Sequence, residues 1–153
     1  IGNCEKHDAG VSFYGVYYGQ AALPHAPERL FYLDNAVIRG LKVYNAEESS
    51  DIPVYDLAAA AGRDPYEMFL GGVRSIIRIT NPNAAKERRL IVFRDSFGSS
   101  IAPLLAAGYS EITLVDIRYI TPSALGRMID FAKADDALFL YSASVINNSE
   151  TIK

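Results

Sequence analysis

The chain is short of the residues on which several chemistries depend. It holds one cysteine, Cys4, in 153 residues, which excludes an internal disulfide framework. One cysteine and two histidines, His7 and His25, argue against a buried zinc site, which takes about four Cys, His or carboxylate ligands. No run approaches the roughly 18 apolar residues that a helical membrane span needs. No basic run or stripe occurs either. Fifteen basic residues stand against eighteen acidic ones, a net charge of −3 with a pI near 5.3, and a weakly acidic chain is a poor nucleic-acid binder. Internal repeats and low-complexity tracts are absent. The first residue is Ile1 rather than Met, and no signal peptide is visible, so the sequence itself is silent on compartment.

What is present suits one globular domain over residues 1–153. Half of the residues are hydrophobic and 22% are charged, enough to bury a core at this length. Residues 1–62 read as an irregular, β-rich lobe. The stretch Phe13-Tyr14-Gly15-Val16-Tyr17-Tyr18-Gly19 is aromatic, and Pro24 and Pro27 around His25 favour an extended loop. Arg29 to Leu33 and Val37 to Tyr44 read as strands joined by turn chemistry at Asp34-Asn35, with a third short strand at Ile52 to Tyr55. Together they predict an antiparallel meander.

Residues 63–153 read differently. Tyr66 to Leu70 fits a helical turn stopped by Gly71-Gly72, and Val73 to Thr80 fits a strand. Leu90 to Phe93, Glu111 to Val115 and Ala137 to Tyr141 are short apolar runs of the kind buried on both faces of a sheet. Helices are predicted between them. One runs from Ser99 to Ala107, with Ser99 as N-cap, Pro103 in its first turn and Gly108 at its end. The other runs from Pro122 to Ala134, with Thr121 as cap. Strand, helix, strand, helix, strand implies parallel neighbours with right-handed crossovers in a three-layer α/β sheet.

Sites in open α/β sheets collect at the carboxyl ends of the strands. Three such ends are visible: Arg94-Asp95-Ser96-Phe97-Gly98, Asp116-Ile117-Arg118-Tyr119 and Ser142-Ala143-Ser144. A serine between a buried strand and a helix start sits at a tight turn whose backbone N–H groups can stabilise an oxyanion, the setting a nucleophile needs. Ser96 fits that role, or it simply caps the helix. Asp116 and Arg118 can orient a base or bind an anion, although an ion pair that pins the loop is the simpler reading. A serine nucleophile needs a base, and His7 and His25 both lie in the N-terminal lobe. Gly71 and Gly72 can supply a second oxyanion donor or end a helical turn. Tyr14, Tyr17 and Tyr18 can stack on a sugar ring or pack the lobe.

In order along the chain, Phe13-Tyr14-Gly15-Val16-Tyr17-Tyr18, Tyr66-Glu67-Met68-Phe69-Leu70-Gly71-Gly72, Ile79 to Asn81, Leu90 to Gly98, Pro103 to Leu105 and Val115 to Tyr119 resemble the bacterial DHHW family, from about Val11 to Asn148. That family is similar to SGNH hydrolases and to the alginate O-acetyltransferase proteins of bacterial envelopes. The resemblance implies an SGNH- or flavodoxin-like three-layer fold and a serine nucleophile matching Ser96. Asp95, Phe97, Gly71, Gly72, Asp116 and Arg118 would then serve as oxyanion or supporting residues.

The chain contains no DHHW sequence. It therefore reads as the C-terminal part of a family member, an incomplete fold whose Asp–His pair lies upstream of Ile1. Arg94 stands where SGNH enzymes place a glycine before Asp-Ser. The function implied is an esterase or O-acyltransferase acting on acylated cell-envelope or extracellular glycans at the cell surface or outside it, without metal or organic cofactor. A fragment of this kind is expected to be inactive alone and to self-associate through an open sheet edge. The alternative is a non-catalytic surface module that binds glycan or protein on the same scaffold.

Overall fold

A computed structural model describes residues 3–15, 26–148 and 150. Tyr17, Tyr18, Pro24 and His25 lie outside the described residues, so the readings placed on them are not tested. Strands β1 (Glu5–Phe13) and β2 (Glu28–Asp34) form an antiparallel pair of their own. A six-stranded sheet holds β3 (Lys42–Asn45), β4 (Ser50–Ile52), β5 (Ile76–Thr80), β6 (Arg89–Arg94), β7 (Glu111–Val115) and β8 (Asp136–Leu140). Its order is β4-β3-β5-β7-β6-β8.

The three apolar runs are parallel neighbours, as expected. β6 pairs in parallel with β7, Leu90 opposite Ile112, and with β8, Leu90 opposite Asp136. The sheet is nevertheless mixed. β5 runs antiparallel to β7, β3 to β5 and β4 to β3. An apolar run shows that a strand is buried and leaves its direction open, so the parallel reading extends only to the strands joined by helices.

Alternation along the central strands divides the core between the two faces. Ile77, Ile79, Leu90, Val92, Ile112 and Leu114 point one way and pack on Ala102 of helix α2 (Gly98–Leu105) and on Ala106, its C-cap. Ile76, Ile91 and Val115 point the other way and pack on Leu125 of helix α3 (Pro122–Met128). Complete burial of a Leu- or Ile-sized side chain contributes roughly 1.5–3 kcal/mol, so these two clusters carry most of the sheet's stability. A third cluster, Leu30, Ala60, Met68 and Phe69 with Tyr32, Tyr55 and Tyr66 beside it, joins the β1–β2 pair to the chain before β5.

Several local readings are corrected. β1 lies where no strand was expected. Val37 to Tyr44 is not one strand. Asn35 caps a four-residue helix α1 (Ala36–Arg39), accepting from the Ile38 N–H at 2.9 Å, and β3 begins only after Gly40. The third strand lies at Ser50–Ile52, and β3 and β4 join the main sheet rather than the lobe. Helix α2 starts at Gly98, so Ser99 is inside it, and Pro103 lies beyond the first turn. Helix α3 stops at Met128, because Asp130 accepts from the Ala132 N–H and starts a separate 3-10 turn, Phe131–Lys133.

β8 forms one edge of the sheet. Ala137, Leu138 and Phe139 are exposed, Phe139 at 68%, and the Phe139 ring stacks on Phe93 at 4.8 Å. Helix α4 (Ala143–Asn147) follows, with Ile146 also exposed. Among the described residues no strand pairs with the outer edge of β8, and the side chains exposed there are apolar.

Candidate functional site

β6 ends in Arg94, and the chain turns through Asp95, Ser96 and Phe97 into α2. The Gly98 N–H donates to the Asp95 carbonyl at 3.1 Å, closing a tight turn with Ser96 and Phe97 at its corners. Ser96 is half-buried. Among the described residues its hydroxyl and its N–H make no hydrogen bond. A free hydroxyl beside a free amide at a helix start is the local geometry of an acyl-transfer nucleophile.

Asp95 is 2% exposed and acts as a clamp. Its carboxylate accepts from the Phe97 N–H at 3.1 Å and from the Ser142 N–H at 2.7 Å. One side chain therefore closes the turn and ties it to the end of β8. The Phe97 N–H is consumed by this contact, which removes it as an oxyanion donor. Asp95 itself only accepts, so its part is to shape the turn.

Gly98 has a steric reason. A Cβ there would lie 2.6 Å from the Arg94 Cβ, closer than real contacts permit. Arg94 is fully buried beneath the turn. Its Nη1 donates to the Asp95 carbonyl at 3.4 Å and lies 3.9 Å from the Asp116 carboxylate, and its Nη2 donates to the Arg74 carbonyl at 3.3 Å. Its Nε has no partner among the described residues. Burial pulls the Arg94 guanidinium below its ordinary value against the attraction of Asp116.

Asp116, at the end of β7, is fully buried and shared by two guanidiniums. Arg118 grips it with Nε at 2.9 Å and Nη2 at 2.6 Å, and the Arg118 N–H adds a third contact at 3.2 Å. These hydrogen bonds raise the Arg118 pKa. The pair is the loop-pinning ion pair that the sequence suggested. Tyr141, just past β8, has a buried hydroxyl without a partner among the described residues, and burial raises its pKa.

Gly71 and Gly72 adopt φ of +70° and +78°, and buried Leu70 before them adopts +54°. This left-handed run favours glycine and is costly for leucine. The Gly72 N–H donates to the Phe69 carbonyl at 3.2 Å and is not free, whereas the Gly71 N–H has no partner among the described residues. The Arg94–Arg74 contact and the Asp116 N–H, which donates to the Ser75 carbonyl at 2.8 Å, join this loop to the ends of β6 and β7. Of the donors proposed from sequence, Ser96 and Gly71 keep an available N–H.

His7 does not serve Ser96. Its ring stacks on Tyr32 with centroids 5.2 Å apart, and its Nε2 faces Glu5 at 3.6 Å. Among the described residues no group of His, Cys, Asp and Glu has the arrangement of a metal site, and no helix is long and apolar enough to cross a membrane. Sequence reasoning passed over Tyr66, whose hydroxyl lies 2.8 Å from the Ser100 Oγ. Asp64-Pro65, a cap followed by a proline, was the signal that fixed its position.

Comparison with known proteins returns one family. The sequence profile described as DHHW protein matches residues 1–115. Bacillus cereus PatB1 carrying a sulfonyl adduct has a similar structure, with a TM-score of 0.68 and 21% identity, over 94% of this chain and 48% of that one. A second structure of Bacillus cereus PatB1 gives 0.65 and 19%, over 94% and 50%. A DHHW family protein from Eubacterium siraeum gives 0.68 and 19%, over 97% and 50%. The chain therefore spans about half the length of these solved structures. No curated protein matches it. At these identities the structural likeness establishes the fold, and the profile match over most of the chain establishes that it belongs to the DHHW protein family.

Proposed function

We propose that the chain carries the nucleophile half of an SGNH-like, three-layer serine esterase or O-acyltransferase. Ser96 Oγ attacks the acyl carbon, forming a carbon–oxygen bond, while the N–H groups of Ser96 and Gly71 receive the charge on the carbonyl oxygen. The tetrahedral adduct collapses by breaking the bond to the alcohol, which leaves with the proton taken from Ser96. Water or an acceptor hydroxyl then adds to the acyl carbon, the bond from that carbon to Ser96 Oγ breaks, and the proton of the incoming group passes through the same carrier back to Oγ. The proton carrier is an Asp–His pair supplied from outside residues 1–153. The substrate is an acylated envelope or extracellular glycan, in a cell-surface or extracellular setting.

The observation that carries this reading is the strand–turn–helix at Ser96, whose hydroxyl and amide are both unengaged among the described residues while its neighbours are clamped. The scaffold it shares with Bacillus cereus PatB1, a protein whose structure carries a sulfonyl adduct, supports it. Without a base the chain alone is expected to turn over aryl acetates on the order of a millionfold more slowly, and added imidazole, by taking the Ser96 proton, is expected to restore enough reactivity for slow covalent labelling.

The test is covalent. An aryl sulfonyl fluoride modifies a serine by forming a sulfur–oxygen bond as fluoride leaves and the proton passes to buffer. Incubation over hours with added imidazole, followed by peptide mapping, is expected to label Ser96 alone, and the Ser96→Ala variant is expected to stay unlabelled. Equal labelling of other serines, or none at Ser96, overturns the assignment and leaves the non-catalytic binding module.

A further inference from the structure

Gly98 creates a difficulty that the turn must solve. Its missing Cβ is required by the Arg94 side chain, yet glycine is the residue that holds a backbone least firmly. The flexible residue is thus joined to the Phe97 carbonyl, one peptide from Ser96. The chain supplies two hydroxyls at that carbonyl. Tyr66 Oη lies 3.3 Å from the Phe97 oxygen and 2.8 Å from Ser100 Oγ, and Ser100 Oγ lies 3.2 Å from the same oxygen.

Tyr66 is itself held rigidly. It lies on a 3-10 turn, Pro65–Met68, capped by Asp64, which accepts from the Tyr66 N–H at 3.0 Å. Its ring meets Phe13 at 6.1 Å, Phe69 at 4.9 Å and Phe97 at 6.2 Å. Burial raises its pKa, which keeps the hydroxyl protonated as a donor. Asp95 fixes the turn from the β8 side through Ser142, whereas Tyr66 approaches from the side of the β1–β2 pair.

We infer that Tyr66, with Ser100, is a positioning residue for Ser96: the two hydroxyls lock the Phe97–Gly98 peptide and so hold the nucleophile turn in its reactive geometry. This rests on the reading of Ser96 as nucleophile. Small displacements of an attacking group reduce rate far more than binding. Tyr66→Phe removes one donor and keeps the ring packing, and Ser100→Ala removes the other.

The experiment measures labelling of Ser96 by an aryl sulfonyl fluoride against reagent concentration, together with thermal unfolding. Each variant is expected to lower the limiting rate about fivefold, the weight of one neutral hydrogen bond. The half-saturating reagent concentration is expected to stay within about twofold, because uniform binding is untouched. Ser100→Thr, which keeps a hydroxyl, is expected to recover most of the rate. Unchanged limiting rates in Tyr66→Phe and Ser100→Ala overturn the inference while leaving Ser96 as nucleophile. A fall confined to half-saturation also overturns it. Absence of labelling at Ser96 in the unaltered chain overturns both readings together.

Discussion

Asp95 is the sharpest test of how the turn at Ser96 is held. Its carboxylate accepts two backbone N–H groups, from Phe97 at 3.1 Å and Ser142 at 2.7 Å, while 2% exposed. Hydrogen bonds to a charged group contribute about 1.5–3 kcal/mol each, and a stranded buried donor costs about 1–3 kcal/mol. Phe97 is exposed and its N–H can turn to water, so the Ser142 contact dominates. Asp95→Ala is therefore expected to lose about 2–4 kcal/mol. Asp95→Asn keeps one acceptor but turns an NH2 toward the other donor, and is expected to lose about half as much. In a domain of this size that corresponds to roughly 4–16 °C in Tm for the alanine variant. Urea titration followed by circular dichroism measures both, with the slope m expected to stay constant. A loss below about 0.5 kcal/mol for Asp95→Ala, the range of ordinary surface changes, would refute the clamp.

Gly98→Ala is expected to destabilise by about 1–3 kcal/mol, the usual range for overpacking, because its methyl meets the Arg94 Cβ at 2.6 Å; urea melts showing no loss would mean that Arg94 moves freely. Tyr55, whose hydroxyl donates to the Leu33 carbonyl at 2.7 Å, has its pKa pushed up to about 12, first by burial and then by Asp34. A raised pKa on an acid favours the neutral form, so this contribution is complete below about pH 10 and is lost as pH rises from about 10 to 12. Tyrosinate absorbance and unfolding midpoints over that window check it, and Tyr55→Phe should flatten the decline. The open edge at β8 is expected to drive self-association, and Phe139→Lys, placing a charge at the exposed ring, should shift sedimentation toward monomer; an unaltered chain that stays monomeric at high concentration would contradict this.

The parts of the fold legible in the sequence were those where one physical signal sufficed. Leu90-Ile91-Val92-Phe93 and its two counterparts announce burial on both faces, and the helices between them require parallel pairing. Strand β1 was not legible because its half-buried positions, His7, Ala9, Val11 and Phe13, include a polar and a small residue, and Gly10 at φ +77° interrupts the alternation. The antiparallel entry of β5 depends on which edge of the sheet remains open, which no local pattern encodes. At the site, Ser96 was visible from its place between strand and helix. The donors were not separable, since only the fold shows that Asp95 occupies the Phe97 N–H and the Phe69 carbonyl occupies that of Gly72. Arg94 could have been suspected, as a charge closing an apolar strand must find a buried partner.

The pairing pattern also has a kinetic consequence. β6 and β7 join residues only 22 positions apart, such as Arg89 and Glu111, with α2 as the crossover. β6 and β8 join residues 46 positions apart, and β5 and β7 up to 39. Loop-closure entropy rises with separation, so after the β3–β4 hairpin, whose partners are 5–9 positions apart, the β6–α2–β7 unit closes next, ahead of the β5–β7 and β6–β8 pairings. The turn bearing Ser96 lies inside that unit. Its side-chain substitutions should therefore register in the refolding rate, with high φ-values, whereas substitutions in β8 should act mainly on unfolding.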